Sequence, residues 1–215
     1  MTKKMKIERP KIPVGLQSID FYDIYEDEDR YLSNGQIEAA RIDNEEIEQV
    51  ILSKVVFKNV TFINTALRKI DMTDVHFENC DLSNASFSEG LIHRVTFKEC
   101  KLTGFDFSKA NLGNVTFENC VVNMSDFVEA RLKQVRFEAS SLQSANYSDS
   151  SFHKVEFDQC NIDDIDFTQT IHKGIDISTC SFDRINVALG NLAGFEISPE
   201  QAIGFATMLG LKIKQ

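Results

Sequence analysis

The sequence predicts an all-β solenoid, a rod coiled from short extended segments, four to a turn, with large apolar side chains filling its axis. Three observations carry this expectation. Apolar residues recur every five positions, as Phe77, Leu82 and Phe87 do in FENCDLSNASF; an amphipathic helix repeats every three or four residues and a strand every two. Read outward from Leu82, the series runs from Leu52 to Ile197 over thirty positions, of which only His172 is polar, and it takes in 13 of the 17 Phe residues. A second period of twenty lies on the first, in the V-x-F pairs Val75–Phe77, Val95–Phe97, Val115–Phe117, Val135–Phe137 and Val155–Phe157, so four quintets make one turn. The cysteines test that turn separately: Cys80, Cys100, Cys120, Cys160 and Cys180 differ by multiples of twenty, with Ser140 in the gap, and should form one internal column.

Within each quintet, a small or β-branched residue sits two positions before the large one, as in Val75, Cys80, Ala85 and Gly90. Residues two apart on an extended segment point the same way. Each quintet therefore sends one large and one small side chain inward and then turns. Equivalent residues stack at about 4.8 Å, and the roughly seven turns between residues 52 and 197 make a rod about 35 Å long.

The chain divides into three parts. Residues 1–30 lie outside the repeat and are expected to be an N-terminal capping or flexible segment, with YEDEDR (Tyr25–Arg30) solvated. Residues 31–197 form the repeat region; Leu32, Ile37, Ile42 and Ile47 continue the frame upstream, favouring turns over a helix where NEEIEQV suits both. Residues 198–215 carry a helix and tail. Ser198 is an N-cap, Pro199 the first helical residue and Gln201 the third member of a capping box. Ala202, Phe205, Ala206 and Leu209 share one helical face, Gly210 is a stop, and Leu211 to Lys214 alternate like a short strand. An open solenoid end invites edge pairing, so this helix either covers the end as a lid or joins two chains into a homodimer; the dimer is favoured.

Nothing in the sequence points to catalysis, a cofactor or a metal. It lacks G-x-G-x-x-G, the P-loop, G-x-S-x-G and H-E-x-x-H. His76, His93 and His153 fall on outward positions, and His172 replaces a core residue and should distort its quintet. The cysteines read as small core filler rather than a metal or redox column. No apolar run is long enough to span a membrane and the basic N-terminus lacks a signal's apolar stretch, so a cytoplasmic protein is expected. The net charge of −10 argues against direct nucleic-acid binding but suits a basic protein partner.

Sorted by side, the charges are uneven. The side centred on Phe57, Phe77, Phe97, Phe117, Phe137 and Phe157 (side 1) holds Glu78, Glu99, Glu118, Glu138, Glu156, Asp158, Asp176 and Glu196 against Lys58, Lys98 and Arg136, a net of −5. Side 2, centred on Phe62 and Leu82, is weakly acidic. Side 3, centred on Phe87 and Phe107, carries Asp106, Asp126, Glu129, Asp149 and Asp166. Side 4, centred on Leu52, Met72 and Ile92, is basic through Lys54, Arg94, Arg131, Lys133, Lys154 and Lys173 against Asp71 and Asp74.

Ala110-Asn111-Leu112, Cys80-Asp81-Leu82 and Phe105-Asp106-Phe107 match the quintet A-(D/N)-L-x-x. On these residues the chain resembles the pentapeptide-repeat family, which implies a right-handed quadrilateral β-helix. Its ending resembles that of the Qnr-type, quinolone-resistance branch, in which a C-terminal helix joins two rods. That resemblance implies a DNA-mimicking protein that binds the type II topoisomerase DNA gyrase through Glu78, Glu99, Glu118, Glu138, Glu156, Asp158, Asp176, Asp106, Asp126 and Asp166, and pairs through its C-terminal helix. It further implies inhibition of the enzyme, its protection from quinolones, or both; the unbroken frame should lack the projecting loops important for protection in some members, so gyrase binding is favoured over quinolone protection. The alternative is a scaffold for another protein. Duplex DNA carries about 20 charges over 35 Å, so a side of net −5 imitates it only in part.

Overall fold

Every fifth residue from Asn34 to Gly174 has a positive φ, between 49° and 61° wherever it is not glycine. Glycine fills this slot within the series only at Gly104 and Gly174. A side chain at such φ clashes least when its Cβ is unbranched, and Asn tolerates it best. The slot is accordingly held by Asn34, Asn44, Asn59, Asn64, Asn79, Asn84, Asn114 and Asn119 or by unbranched residues, never by Val, Ile, Thr or an aromatic. These residues are the corners of the coil. At Thr179, Arg184 and Leu189 the slot no longer has a positive φ and the coil becomes irregular; of the three only Thr179 is β-branched.

In the computed structural model, which describes residues 5–208 and 210–212, the chain forms a β-solenoid of about nine turns ending in a single short helix. Seven eight-residue strands, Tyr31–Glu38, Ile51–Lys58, Asp71–Glu78, Leu91–Lys98, Asn111–Glu118, Arg131–Glu138 and Ser151–Asp158, pair in parallel in that order. The register is twenty residues, as in Phe77 opposite Phe97 and Phe97 opposite Phe117. Each strand bends at its positive-φ residue and so covers both side 4 and side 1. Sides 2 and 3 carry single bridges, such as Asp81 to Lys101 and Asp106 to Asp126. Their corners are hydrogen-bonded turns: Ala85 N–H to Leu82 C=O (3.1 Å), Ala110 to Phe107 (3.0 Å) and Ala130 to Phe127 (3.0 Å). The third turn residue has positive φ, the signature of a type II turn. Residues 31–51 are turns rather than helix, and Glu46–Glu48 pairs with Ala66–Arg68, so the coil begins earlier than the count from Leu52.

The core is two columns of aromatic rings. On side 1, Phe57, Phe77, Phe97, Phe117, Phe137 and Phe157 stack at 4.7–5.2 Å with planes within 9° of parallel. Phe107, Phe127 and Tyr147 form the second column on side 3, at 4.9 and 4.5 Å. The columns meet edge to face, as Phe117 does with Phe127 (83°) and Phe137 with Tyr147 (83°), the arrangement aromatic quadrupoles favour. The ring spacing equals the strand spacing, which is why one residue type can repeat along a column. The five cysteines are buried and free. The thiols of Cys80, Cys120, Cys160 and Cys180 each approach the carbonyl 23 residues earlier, at Phe57, Phe97, Phe137 and Phe157. Ser140 makes the same contact to Phe117, so the column is aligned as its spacing requires.

Both ends are covered. At the start, a 3-10 helix over Phe21–Tyr25, capped by Asp20, buries Phe21 and Ile24, and Phe21 sets its ring edge-on to Phe62. Gly35 stands where later turns place Val55 and Val75; a Cβ there would lie 2.3 Å from the Ile19 side chain, so glycine lets that segment lie on the sheet. At the finish, the helix Pro199–Met208 opens with the capping box read from the sequence: Gln201 N–H to Ser198 Oγ (3.2 Å) and Ser198 N–H to Gln201 Oε1 (2.8 Å). The Gln201 amide also donates to the carbonyls of Ile177 and Cys180, both at 2.8 Å, satisfying groups the last turn leaves open. Gly210, at φ 77°, ends the helix with Leu211 N–H to Ala206 C=O and Gly210 N–H to Thr207 C=O, a Schellman closure. His172 is half-buried, edge-on to Phe195, and accepts the Gly174 N–H at Nδ1; the regular sheet stops one turn before it.

Tyr147 breaks the apolar rule of the core: it is fully buried and its hydroxyl has no hydrogen-bond partner. An unsatisfied buried hydroxyl costs about 1–3 kcal/mol. Tyr147→Phe should therefore raise stability by about 1 kcal/mol, whereas Phe117→Ala in the neighbouring column should cost about 3–5 kcal/mol; urea unfolding measures both.

Candidate partner-binding surface

Side 1 places the outward residues after each Phe in one column, on successive rungs: Lys58, Glu78, Lys98, Glu118, Glu138 and Asp158. Its first half is compensated. Glu78 lies between Lys58 (3.6 Å) and Lys98 (3.3 Å), and its carboxyl is held below the usual range chiefly by Lys98. Its second half stacks three carboxylates, Glu118, Glu138 and Asp158, on adjacent strands. Glu156 pairs with Arg136 (2.8 Å), while Glu99 is an exposed corner residue 3.8 Å from Lys98.

The acids on side 3 have a different role. Asp106, Asp126 and Asp166 each accept the backbone N–H two residues on, from Ser108 (2.8 Å), Val128 (2.9 Å) and Thr168 (2.7 Å). Asp176 does the same with Ser178 (2.9 Å). Asn146 and Asn161 make the identical bond to Ser148 and Asp163, so what the position requires is an acceptor and not a charge. This is the physical content of the Asp or Asn in the quintet motif: it ties the segment entering a turn to the one leaving it. Of the ten residues picked from the sequence, these four are therefore placed by the fold itself. Among the ten, Glu118, Glu138 and Asp158 on side 1 are the ones stacked on adjacent strands.

The N-terminus adds a feature that sequence reasoning missed. Residues 5–11 run lengthwise over the corner between sides 4 and 1, against the direction in which the coil advances. Met5 N–H donates to Glu156 (2.9 Å) and its carbonyl accepts from Arg136 (2.6 Å). Gln134 donates to the Lys6 carbonyl (3.2 Å), Asn114 accepts the Glu8 N–H (3.0 Å), and Arg9 pairs with Glu118 (3.2 Å). Lys11 N–H reaches Asp74 (2.9 Å). Six residues at about 3.3 Å each span about 20 Å, the length of four rungs at about 4.8 Å, so the strap is fully extended. Near its path Thr96 and Thr116, on outward positions, are 5% exposed and bond one another at 3.0 Å. Burial likewise pushes the His76 imidazole below its usual pKa. The signal available in the sequence was MKIERPKI, in which apolar residues are interspersed with Lys6, Arg9 and Lys11.

Side 4 is less basic than its composition. The Arg94 guanidinium grips Asp74 through two bonds, 2.6 and 2.9 Å, leaving Arg131, Lys133, Lys154 and Lys173 exposed. On the C-terminal helix Phe205 turns to its own rod, against Phe182 (5.9 Å), with Ala206 half-buried. Ala202 and Ile203 face outward. Leu209, which the helical spacing adds to this face, lies outside the described residues, as does the end of the expected strand after Leu211. Among the described residues no cluster of His, Cys, Asp and Glu could hold a metal, and no helix is long and apolar enough to cross a membrane.

Comparison with known proteins follows the fold. Two family models match, the pentapeptide repeat region over residues 90–167 and pentapeptide repeats in eight copies over residues 48–89. Together they run over more than half of the chain, and the protein belongs to the pentapeptide-repeat family. A trypsin-treated variant of QnrB1, a plasmid-mediated fluoroquinolone resistance protein, has a similar structure: TM-score 0.53, 19% identity, covering 84% of this chain and all of that one. HetL, a pentapeptide repeat protein involved in heterocyst differentiation regulation from the cyanobacterium Nostoc, matches at TM-score 0.37 and 16% identity, over 78% of this chain and 83% of its own. In sequence, the uncharacterized protein YisX of Bacillus subtilis is 42% identical over 70 residues, which is 33% of this chain and 32% of YisX. The match thus spans about a third of that curated relative.

The Arg94–Asp74 pair under the strap gives a pH prediction. Arg94 holds the Asp74 carboxyl below its usual value, burial opposes it, and the Lys11 N–H assists. A folded pKa below the unfolded value of about 3.9 makes the stabilisation complete above that pH and lost as pH falls through the folded value. Arg94→Ala should raise the Asp74 titration midpoint, read by carboxyl carbon NMR; an unchanged midpoint would mean the pair is absent in solution.

Proposed function

We propose that this protein is a non-enzymatic rod that docks on a basic, DNA-binding surface of a type II topoisomerase, DNA gyrase, and inhibits it. The observation that carries this reading is the stack of Glu118, Glu138 and Asp158 on consecutive rungs of side 1. A row of carboxylates repeated at the rung spacing on a stiff support complements a surface built for phosphates. The rigidity of the rod removes much of the ordering cost that binding otherwise carries. Its fold is that of a fluoroquinolone resistance protein, which supports the choice of target. The unbroken register, without an inserted loop, favours inhibition over protection. The exposed Ala202 and Ile203 at the tip support end-to-end pairing of two chains, which would lengthen the mimic; the site of action would be the cytoplasm.

A second reading, a scaffold for a different protein, draws on the compensation along the same side. Glu78, Glu118 and Glu156 already have cationic partners within the chain, and a surface so balanced suits a partner of mixed charge.

The test is a gyrase supercoiling assay with and without a fluoroquinolone. Inhibition at micromolar protein is expected, weakened at least tenfold by Glu118→Lys with Glu138→Lys and by added salt. The active species should sediment at twice the chain mass and Ile203→Lys at the chain mass. Neither inhibition nor protection, from protein with an intact melt, would exclude the topoisomerase and leave the scaffold.

A further inference from the structure

The strap is held mainly by its backbone. Five of its bonds join coil side chains to main-chain atoms: Glu156 and Arg136 at Met5, Gln134 at Lys6, Asn114 at Glu8 and Asp74 at Lys11. Among the described residues, Arg9 adds a side-chain pair, with Glu118. Because the coil repeats every 4.8 Å or so and an extended chain every 3.3 Å or so, three strap residues match two rungs, and polar side chains of the corner, Asp74, Asn114 and Gln134, with Arg136 and Glu156 beside them, meet the peptide along one lane. Such bonds read an extended backbone and its direction, leaving side-chain identity to charge and alternation. Met5, Ile7 and Ile12 turn inward while Lys6, Glu8 and Lys11 turn out.

The hold is light. No residue from 5 to 18 is buried, and none belongs to the apolar core, which begins at Phe21. Val14 is fully exposed, and Gly15 takes φ 74° with nothing near its Cβ position where the strap meets the rod. Segments with few buried contacts open at small free-energy cost.

We propose that the lane along the corner of sides 4 and 1 is a binding site for extended basic peptides, and that the N-terminal segment is its resident, exchangeable occupant. The partner it fits is a protein with an unstructured segment in which apolar residues alternate with Lys or Arg. Asp74, Glu118 and Glu156 supply the charge, and Asn114 and Gln134 fix the backbone. Tethering gives the strap an effective concentration on the order of millimolar, so it excludes weak competitors and yields to tighter ones. The proposal stands whether or not the rod engages a topoisomerase, and no topoisomerase enters its test.

The experiment measures binding of a fluorescent peptide of residues 1–14 to the chain starting at Gly15 and to the full chain. The peptide should bind the shortened chain saturably at micromolar concentration and the full chain at least tenfold more weakly. The D-enantiomer, with equal charge, should bind the shortened chain at least tenfold more weakly than the L-peptide, as should the L-peptide after Lys6, Arg9 and Lys11 are replaced by Glu. Equal binding of both enantiomers would reduce the lane to charge adhesion and overturn the proposal. So would equal binding to both chains, or none to a shortened chain that melts like the full one. Should the shortened chain unfold early, amide exchange on the full chain decides: Met5, Glu8 and Lys11 should exchange at least a hundredfold faster than Phe97, and comparable protection would make the strap part of the rod and refute exchange.

Discussion

The structure depends on one backbone constraint, a left-handed residue at every fifth position. Each such residue costs about 1–2 kcal/mol in an L-amino acid, and the coil places it from Asn34 to Gly174 without a break. What offsets the cost is collective. Each corner delivers one large and one small side chain to the axis, and each rung stacks its ring on the rung before at 4.7–5.2 Å. Dispersion and apolar burial act along the whole column, so the corners and the rings are two expressions of the same repeat. Where the corner slot receives Thr179 and Leu189, the sheet has already ended and the helix takes over the task of satisfying open carbonyls.

The five-residue frame made the fold legible, because large residues in a solenoid sit inward at a fixed interval whatever their identity. The cysteine column and the Ser198–Gln201 box were legible for the same local reason. The corners were equally written in the sequence, as a position that never holds Val, Ile, Thr or Phe, yet an absence is harder to notice than a row of Phe. The carboxylates were read too uniformly. Asp106, Asp126, Asp166 and Asp176 resemble the side 1 acids in sequence, and only their bonds to Ser108, Val128, Thr168 and Ser178 reveal an intramolecular task. The strap was illegible because its partners lie 63 to 151 residues away and its own residues are neither periodic with the coil nor buried.

These findings redraw the electrostatics of the rod. Of the acids that sequence counting spread over two sides, Glu118, Glu138 and Asp158 are the ones stacked on adjacent strands, in the second half of side 1. Beside them the N-terminal segment supplies Arg9 and a lane of backbone contacts. On side 4, Arg94 is bound to Asp74. On the proposed readings, a partner attracted by the acids would meet the chain's own basic segment first. The coil backbone is nearly the same on every rung, and the N-terminal segment is a departure from that repeat.

The most direct test of the account substitutes a single exposed corner, Asn119, by Val and by Gly and compares urea unfolding. If the left-handed corner is what the coil must accommodate, Asn119→Gly should change stability by less than about 0.5 kcal/mol while Asn119→Val lowers it by about 1–2 kcal/mol or more. Equal midpoints for the two variants would contradict it, because a solvent-exposed position without that backbone demand has no reason to distinguish them.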